Sequence, residues 1–295
     1  MTDTSQLWIQ AMRAGRYEEA WRLSDATLRS RDPATRDDPS RPYHERWVWD
    51  GRSFDGRHVL VRCYHGLGDT IQFVRFLPQL ATRAATVTLE VQPSLIPLMD
   101  KLEGLTCVMP FDPAAPLPPA ECDLEITELP LALRMAPSAA PAPYLSTSKA
   151  ILPEGTIALC HAGGDWDRER SLPPRLLEPL CSLAPCVTLV PGPTDLPVLN
   201  PGGCPMDMEA TAAIIAGASL VITVDTMAAH LAGALGVPTF LMLKAEPDWR
   251  WSPGQTTSPW YSSMRLYAQP TPGDWPAVVG SILADLETRT LMKKG

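Results

Sequence analysis

One grammar recurs in both halves of this chain and limits what it can fold into. A short β-branched apolar run is followed by a turn of small residues, and then by apolar residues at helical spacing. In the first half the runs are 58–63 (HVLVRC), 85–91 (ATVTLEV) and 105–109, with a shorter one at 124–126. Between them, 69–83 carries Ile71, Val74, Leu77 and Leu80 at helical intervals, and 94–102 suits a second helix. After residue 150 the pattern restarts. The runs are now 156–161 (TIALCH), 186–190 (CVTLV), 220–224 (LVITV) and 238–242 (PTFLM), with helical stretches at 173–183, 208–218, 226–235 and 274–291. Strands that alternate with helices at this spacing form a parallel sheet with helical crossovers. The chain is therefore expected to be α/β, with two Rossmann-like lobes in tandem and a boundary near 145–155. Lobes of this kind bind ligands outside the carboxyl ends of their strands, and a cleft there is the expected site.

Ahead of the first lobe, residues 5–30 read as a helix pair with Gly15 as the break. The stretch from Gly15 to Ala20, closing at Asp32-Pro33, looks like one tetratricopeptide unit. About three such units are needed for an independent solenoid, so a single one reads as a helical cap. Residues 31–46 are polar and read as a linker. The expected domains are thus 1–46 (cap and linker), 47–150 (first lobe) and 151–295 (second lobe).

Composition narrows the function. A net charge of −8 argues against a broad nucleic-acid surface, which needs clustered cations, but leaves room for a local phosphate pocket. The seven cysteines form no C-x-x-C pair, so a zinc knuckle is not expected, and Cys63, Cys107 and Cys160 read as buried reduced thiols. The opening Met-Thr-Asp-Thr-Ser-Gln has neither the basic nor the apolar region of a signal peptide, and no apolar run reaches the ~18 residues of a membrane span. A cytoplasmic protein is expected; peripheral contact with a membrane stays compatible with this. Proline, 32 residues in all, crowds 110–153, where extended connections are expected.

Three turns carry chemistry. His65-Gly66-Leu67-Gly68-Asp69-Thr70 follows the run 58–63. Asp69 or Thr70 can start the next helix as an N-cap, and Asp69 can equally serve as a general base on an acceptor hydroxyl. His65 lines the turn or sits on the surface. In 161–173, Gly163 and Gly164 can form a backbone N–H concavity for an anion, with Arg168 and Arg170 able to fork onto phosphate oxygens. The same loop, with Asp165, Asp167 and Glu169, also fits a solvated ion-paired surface. Third, Asp225-Thr226-Met227-Ala228-Ala229-His230 opens a helix at a strand's end, with Asp225 and Thr226 as caps or phosphate contacts and His230 one turn in. His230 reads either as a core residue or as a group facing that anion. The aromatic segment with Trp249, Trp251, Trp260, Tyr261 and Trp275 suits domain-interface packing or stacking on a base or sugar. A nicotinamide site fits poorly, because Gly66-Leu67-Gly68 lacks the third glycine.

Several of these stretches, taken in order, resemble the heptosyltransferase-like glycosyltransferases of family 9, in the bacterial branch that carries tetratricopeptide repeats. They are WDGRSFDGRHVLV (49–61), HGLGDTIQFVRFLPQLA (65–81), RSLP (170–173), VDTMAAHLAGALGVPTFLML (224–243) and PDWRW with SPWYSSMRLYAQP and GDW (247–275), and they span most of 49–290. The resemblance implies a GT-B fold with the donor, a nucleoside-diphosphate sugar, in the second lobe. The acceptor would bind toward the first, with neither a cofactor nor an essential metal. The family's catalytic aspartate falls on Asp69, beside His65, Gly66, Gly68 and Thr70 on the acceptor side. Its basic residue, typically lysine, falls on Arg170. Its Asp-Thr-x-x-x-His element falls on Asp225, Thr226 and His230, with Met227 where glycine is typical. The implied acceptor is a glycan, a lipid-linked glycan or a protein. The alternative is a non-catalytic binding or scaffold module on the same fold.

Overall fold

The computed structural model describes residues 4–30, 38, 40 and 49–292. The linker expected at 31–46 lies outside the described residues, save 38 and 40. The chain forms two compact units, Met1–Ser146 and Thr147–Gly295.

The first unit begins with the helices α1 (Thr4–Arg13) and α2 (Tyr17–Ser30). Gly15, at φ 69°, takes the left-handed conformation that ends α1. The Gly15 and Arg16 amides then bond back to the carbonyls of Met12 and Ala11, which makes a Schellman motif. The pair closes over Ala11, Met12, Ala20 and Trp21, and Arg134 fastens α2 to the rest of the unit through Asp25 at 2.5 Å.

The first sheet contains β1 (His58–Arg62), β2 (Thr86–Val91), β3 (Cys107–Pro110) and β4 (Cys122–Glu125), all parallel, in the order β3-β2-β1-β4. The helix expected over 69–83 divides into α3 (Leu67–Phe73), a 3-10 turn and α4 (Leu77–Ala81). Pro78 has no N–H to give to the carbonyl four residues back, which accounts for the break. Helix α5 (Ile96–Met99) is short for a similar reason, with prolines at 93 and 97. The Pro-rich segment is less extended than the sequence suggests, because Pro130 begins a helical turn, α6 (Leu129–Leu133). Arg62 is fully buried in the sheet. It donates to Asp123 at 2.8 Å, to Glu90 at 3.1 Å, and to the carbonyls of Leu117 and Pro118, so it ties the loop before β4 to the strands. Cys107, on edge strand β3, is exposed rather than buried, whereas Cys63 and Cys160 are buried as expected.

The second sheet contains β5 (Ile157–Cys160), β6 (Cys186–Thr188), β7 (Leu220–Val224), β8 (Thr239–Leu243) and β9 (Met264–Ala268), parallel throughout, in the order β6-β5-β7-β8-β9. Strands β7 and β8 are buried along their whole length, which is why they read as continuous apolar runs. Helices α7 (Glu178–Leu183), α8 (Met208–Gly217), α9 (Met227–Ala234) and α10 (Trp275–Met292) complete the unit. One core packs Leu177, Leu180, Val278 and Ile282 against Leu159, Ile222 and Phe240. Helix α9 is built of small residues because an aromatic ring lies on it. A Cβ at Gly233 would lie 2.4 Å from the Tyr261 ring. Among the described residues, no helix is long and apolar enough to cross a membrane.

Candidate functional site

In the second unit the loop after β5 folds back on itself. The Leu172 amide bonds the His161 carbonyl at 3.0 Å, and the Gly163 amide bonds Ser171 Oγ at 3.0 Å. The expected glycine concavity is therefore partly used, because the Gly163 N–H already serves the loop. Arg170 packs against both glycines: a Cβ at Gly163 would lie 3.4 Å from the guanidinium carbon, and one at Gly164 3.9 Å from Nη2, which is ordinary contact.

Arg170 is the keystone of this loop. It is 7% exposed, its Nη1 donates to the Asp225 carbonyl at 2.7 Å, its Nε lies 3.7 Å from Asp167 Oδ2, and its guanidinium stacks on Trp166 at 4.0 Å. The loop and the end of β7 are thus joined directly. Arg168 is separated from them. It pairs with Asp165 at the surface, both side chains largely exposed, and such a pair contributes about 0–1 kcal/mol.

Arg170 and Asp225 face a cavity of about 200 Å³ at the carboxyl edge of β7 and β8, with Trp166, Asp167, Lys244 and Asp248 around it. The charge that lines it is mostly negative, and of the two arginines expected at an anion only Arg170 lines it. Asp167, Asp225, Glu246 and Asp248 line it together with only Arg170 and Lys244. Both cations are already paired, Lys244 with Asp167 at 2.9 Å and Glu169 at 3.3 Å. Burial, and then the Asp248 charge, pushes the Asp225 carboxyl up to about 6. Lys244 has a sequence signal that was passed over: it immediately follows a buried parallel strand, the position where such sheets carry their chemistry.

The start of α9 lies beside Asp225. Thr226 is its N-cap, but the hydroxyl makes no capping bond, contrary to the cap reading; Met227 is half-buried. His230 is a core residue rather than part of the cavity wall. It is 5% exposed, with Nδ1 3.0 Å from the Tyr261 hydroxyl and its ring stacked on Trp251 at 5.8 Å. Trp251, Trp260, Tyr261 and Trp275 are all buried within the second unit, where they support α9 and the core.

In the first unit the turn after β1 is built differently from the sequence reading. The N-cap of α3 is Gly66, and Asp69 stands at the third helical position, where Oδ2 accepts the Gly66 amide at 3.0 Å. Neither Gly66 nor Gly68 has a positive φ. A Cβ at Gly66 would lie 3.3 Å from Asp69 Oδ2, a tight contact to which the carboxylate would have to yield by a few tenths of an ångström. Thr70 is buried and bonds Gln92 at 3.0 Å, and Gln92 in turn donates to the His65 carbonyl at 2.8 Å. His65 is exposed at the turn, with Nε2 3.6 Å from Glu125 Oε2 at the end of β4.

No protein-family profile and no curated protein matches the chain. Solved structures do. A glycosyl transferase family 9 protein from Veillonella parvula DSM 2008 aligns with a TM-score of 0.57 at 13% identity, over 82% of this chain and 99% of that one. The chain has the fold of the heptosyltransferases. E. coli heptosyltransferase WaaC with ADP-2-deoxy-2-fluoro heptose gives 0.52 at 13% identity, over 79% of this chain and 99% of that one. The E. coli heptosyltransferase TibC, described as iron-containing and dodecameric and in complex with ADP-D-beta-D-heptose, gives 0.54 at 12% identity, over 82% and 79%. Among the described residues of this chain, no group of three or more His, Cys, Asp or Glu side chains is arranged to hold a metal.

Proposed function

We propose that the chain is a glycosyltransferase that takes a sugar from a nucleoside-diphosphate donor, with the donor in the second unit and Asp69 of the first as general base. The observation that carries this reading is the seat of Arg170: a buried guanidinium joined to the end of β7, facing a cavity beside the start of α9. Arginine offers a planar fork for phosphate oxygens, and a helix beginning adds oriented N–H groups to it. At about 200 Å³ the cavity is smaller than the ~300–1,000 Å³ that encloses a drug-sized ligand. It suits one part of a nucleotide sugar, and the diphosphate is the part that Arg170 fits.

The chemistry follows from the residue types. The acceptor hydroxyl gives its proton to Asp69 as its oxygen bonds to the anomeric carbon. The bond from that carbon to the diphosphate breaks, and the charge left on the phosphate oxygens is met by Arg170, Lys244 and the amides at the start of α9. The bond from Gly66 orients the Asp69 carboxylate while using one of its about four acceptor sites. In this reading the protein's own groups do what an essential metal does elsewhere. The acceptor is a glycan, lipid-linked or free, or a protein.

The excess of carboxylates in the cavity favours a second reading, a binding module on a glycosyltransferase fold that has lost its donor. A thermal-shift series with ADP, UDP, GDP and their sugars, each with and without a chelator, separates the two. A nucleotide at ~100 times its dissociation constant adds about 2.7 kcal/mol of stability. A donor site predicts that one of these series stabilises the protein with chelator present, whereas a binding module predicts that none does.

A further inference from the structure

Trp166 is an aromatic ring that the transfer chemistry above leaves unused. It stands in the wall of the second unit's cavity, and 76% of its surface is exposed. Among the described residues, no other tryptophan, tyrosine or phenylalanine is exposed. The ring is nevertheless held in place. Its Cδ1 would lie 3.4 Å from a Cβ at Gly164, and one of its faces lies on the Arg170 guanidinium, whose carbon is 4.0 Å from the ring centroid. With so little of the indole covered, the opposite face is open to solvent. A ligand that covered it would gain the burial of a large apolar surface.

The carboxylates of the same wall indicate what kind of group that is. Asp167 is paired with Lys244 at 2.9 Å and Asp248 with Arg250 at 2.8 Å. Among the described residues, no ion pair forms at Asp225 or Glu246, which line the cavity with them. An ionised carboxylate accepts hydrogen bonds and donates none. The wall thus sets an open ring face beside acceptors. A pyranose matches both, because its C–H bonds can lie on an aromatic face while its hydroxyls donate from the edge. The position suits it as well. In a sugar nucleotide the sugar is bonded directly to the diphosphate, whereas the base stands one ribose further away. A diphosphate on Arg170 therefore brings its sugar close to the ring that touches Arg170.

We propose that Trp166 is the stacking platform for the sugar ring of the donor, and that the acidic wall beside it selects a sugar without negative charge. A neutral sugar offers hydroxyl hydrogens to Asp225 and Glu246, and an amino sugar offers ammonium hydrogens. A uronic acid would bring a like charge to both carboxylates, in a cavity where four carboxylates already face two cations. The inference rests on the second unit as the donor site, and it adds which part of the donor meets which wall.

The test has two arms, both on the full chain. In the first, wild type, Trp166→Ala and Trp166→Phe are titrated calorimetrically with ADP, UDP and GDP and with ADP-glucose, UDP-glucose and GDP-mannose. One sugar nucleotide should bind the wild type more tightly than its bare diphosphate. Trp166→Ala should weaken that sugar nucleotide about tenfold and the diphosphate only a few-fold, and Trp166→Phe should restore most of the difference. In the second arm, saturation-transfer NMR follows glucose 1-phosphate and glucuronic acid 1-phosphate, which carry no base. The glucose C–H protons should receive magnetisation, and Trp166→Ala should abolish this. The glucuronic acid should bind roughly tenfold more weakly or worse, and Glu246→Gln should narrow that gap. Equal losses for diphosphate and sugar nucleotide in Trp166→Ala would overturn the proposal, since the ring would then serve the base or only prop Arg170. Equal binding of the two sugar phosphates would overturn the charge selection. A protein that binds a nucleoside diphosphate but gains nothing from any sugar keeps the donor reading and loses this inference. One that binds no nucleotide yet takes up glucose 1-phosphate through Trp166 loses the donor reading and keeps the sugar platform.

Discussion

The turns at 63–69 and 161–171 both leave a central parallel strand, pass through a pair of glycine positions and enter a helical turn, yet the charged side chain that each holds in place has the opposite sign. In the first, Asp69 bends back to its own Gly66 amide, and His65 stands at the turn 3.6 Å from the buried Glu125. In the second, Arg170 reaches out of its loop to the Asp225 carbonyl on the next strand and is stacked under Trp166. A carboxylate that caps its own helix stays where the turn puts it. A guanidinium held by a neighbouring strand fixes two loops at once. The same backbone grammar therefore holds a carboxylate in one unit and a guanidinium in the other.

The sharpest way to break this contrast is Asp69→Asn. The amide keeps its shape but takes no proton, so transfer should fall about 10²–10⁴-fold, as expected for losing a general base, while nucleotide affinity stays put. Steady-state kinetics beside a binding isotherm read both, and a parallel loss of affinity would mean that the two units do not divide the work. Arg170→Lys keeps the charge and loses the fork and the stack. We expect about 10–10²-fold weaker nucleotide binding, the scale of a lost hydrogen bond to a charged group.

Gly233→Ala tests the aromatic support beneath α9. The added methyl would meet the Tyr261 ring, and overpacking of this sort costs about 1–3 kcal/mol, visible as a lower melting temperature. An unchanged melting temperature would mean that the ring yields freely.

Acidity sharpens the contrast further. Glu125 and Asp225 both have raised values, about 8 and about 6, above the ordinary 4.5 and 3.8. Each therefore adds stability that is complete below its unfolded value and is lost as the pH climbs through the folded one. Melting temperature should decline from pH 5 to pH 9 in the wild type and less steeply in Glu125→Gln. Neutralising Asp225 also removes one negative charge from the cavity, so nucleoside-diphosphate affinity should rise as the pH drops from 7 to 5, and should lose this dependence in Asp225→Asn. The smallest effect belongs to Trp166→Ala. An exposed cation–π contact is worth about 0.5–1 kcal/mol, so nucleotide affinity should weaken only a few-fold.

Most strands of both sheets were legible because parallel strands buried on two faces are continuous apolar runs, as in 220–224 and 239–243. Strand β9 was missed because its MRLYA sequence lies in an aromatic segment whose rings drew the reading toward stacking. The short helix at 129–133 was hidden by prolines, which begin helices as readily as they prevent them. The turns at 66–69, 163–170 and 225–230 were recognisable, but not who bonds whom within them. Whether Asp69 caps from the first position or reaches back from the third depends on where the backbone closes its first helical bond. The outward Arg168 and the inward Arg170 differ by two residues on one 3-10 turn, and composition cannot separate them. Glu125 and Lys244 could have been found by asking what stands at the carboxyl end of every parallel strand, not only of those followed by glycine.

The most direct test of the central claim is calorimetric titration of wild type and Arg170→Ala with the nucleoside diphosphate that stabilises the protein most. A seat formed by Arg170 at the end of β7 predicts one site per chain, weakened roughly 10–10²-fold or more by the alanine. Equal affinity in the two proteins would place the diphosphate elsewhere and contradict the account.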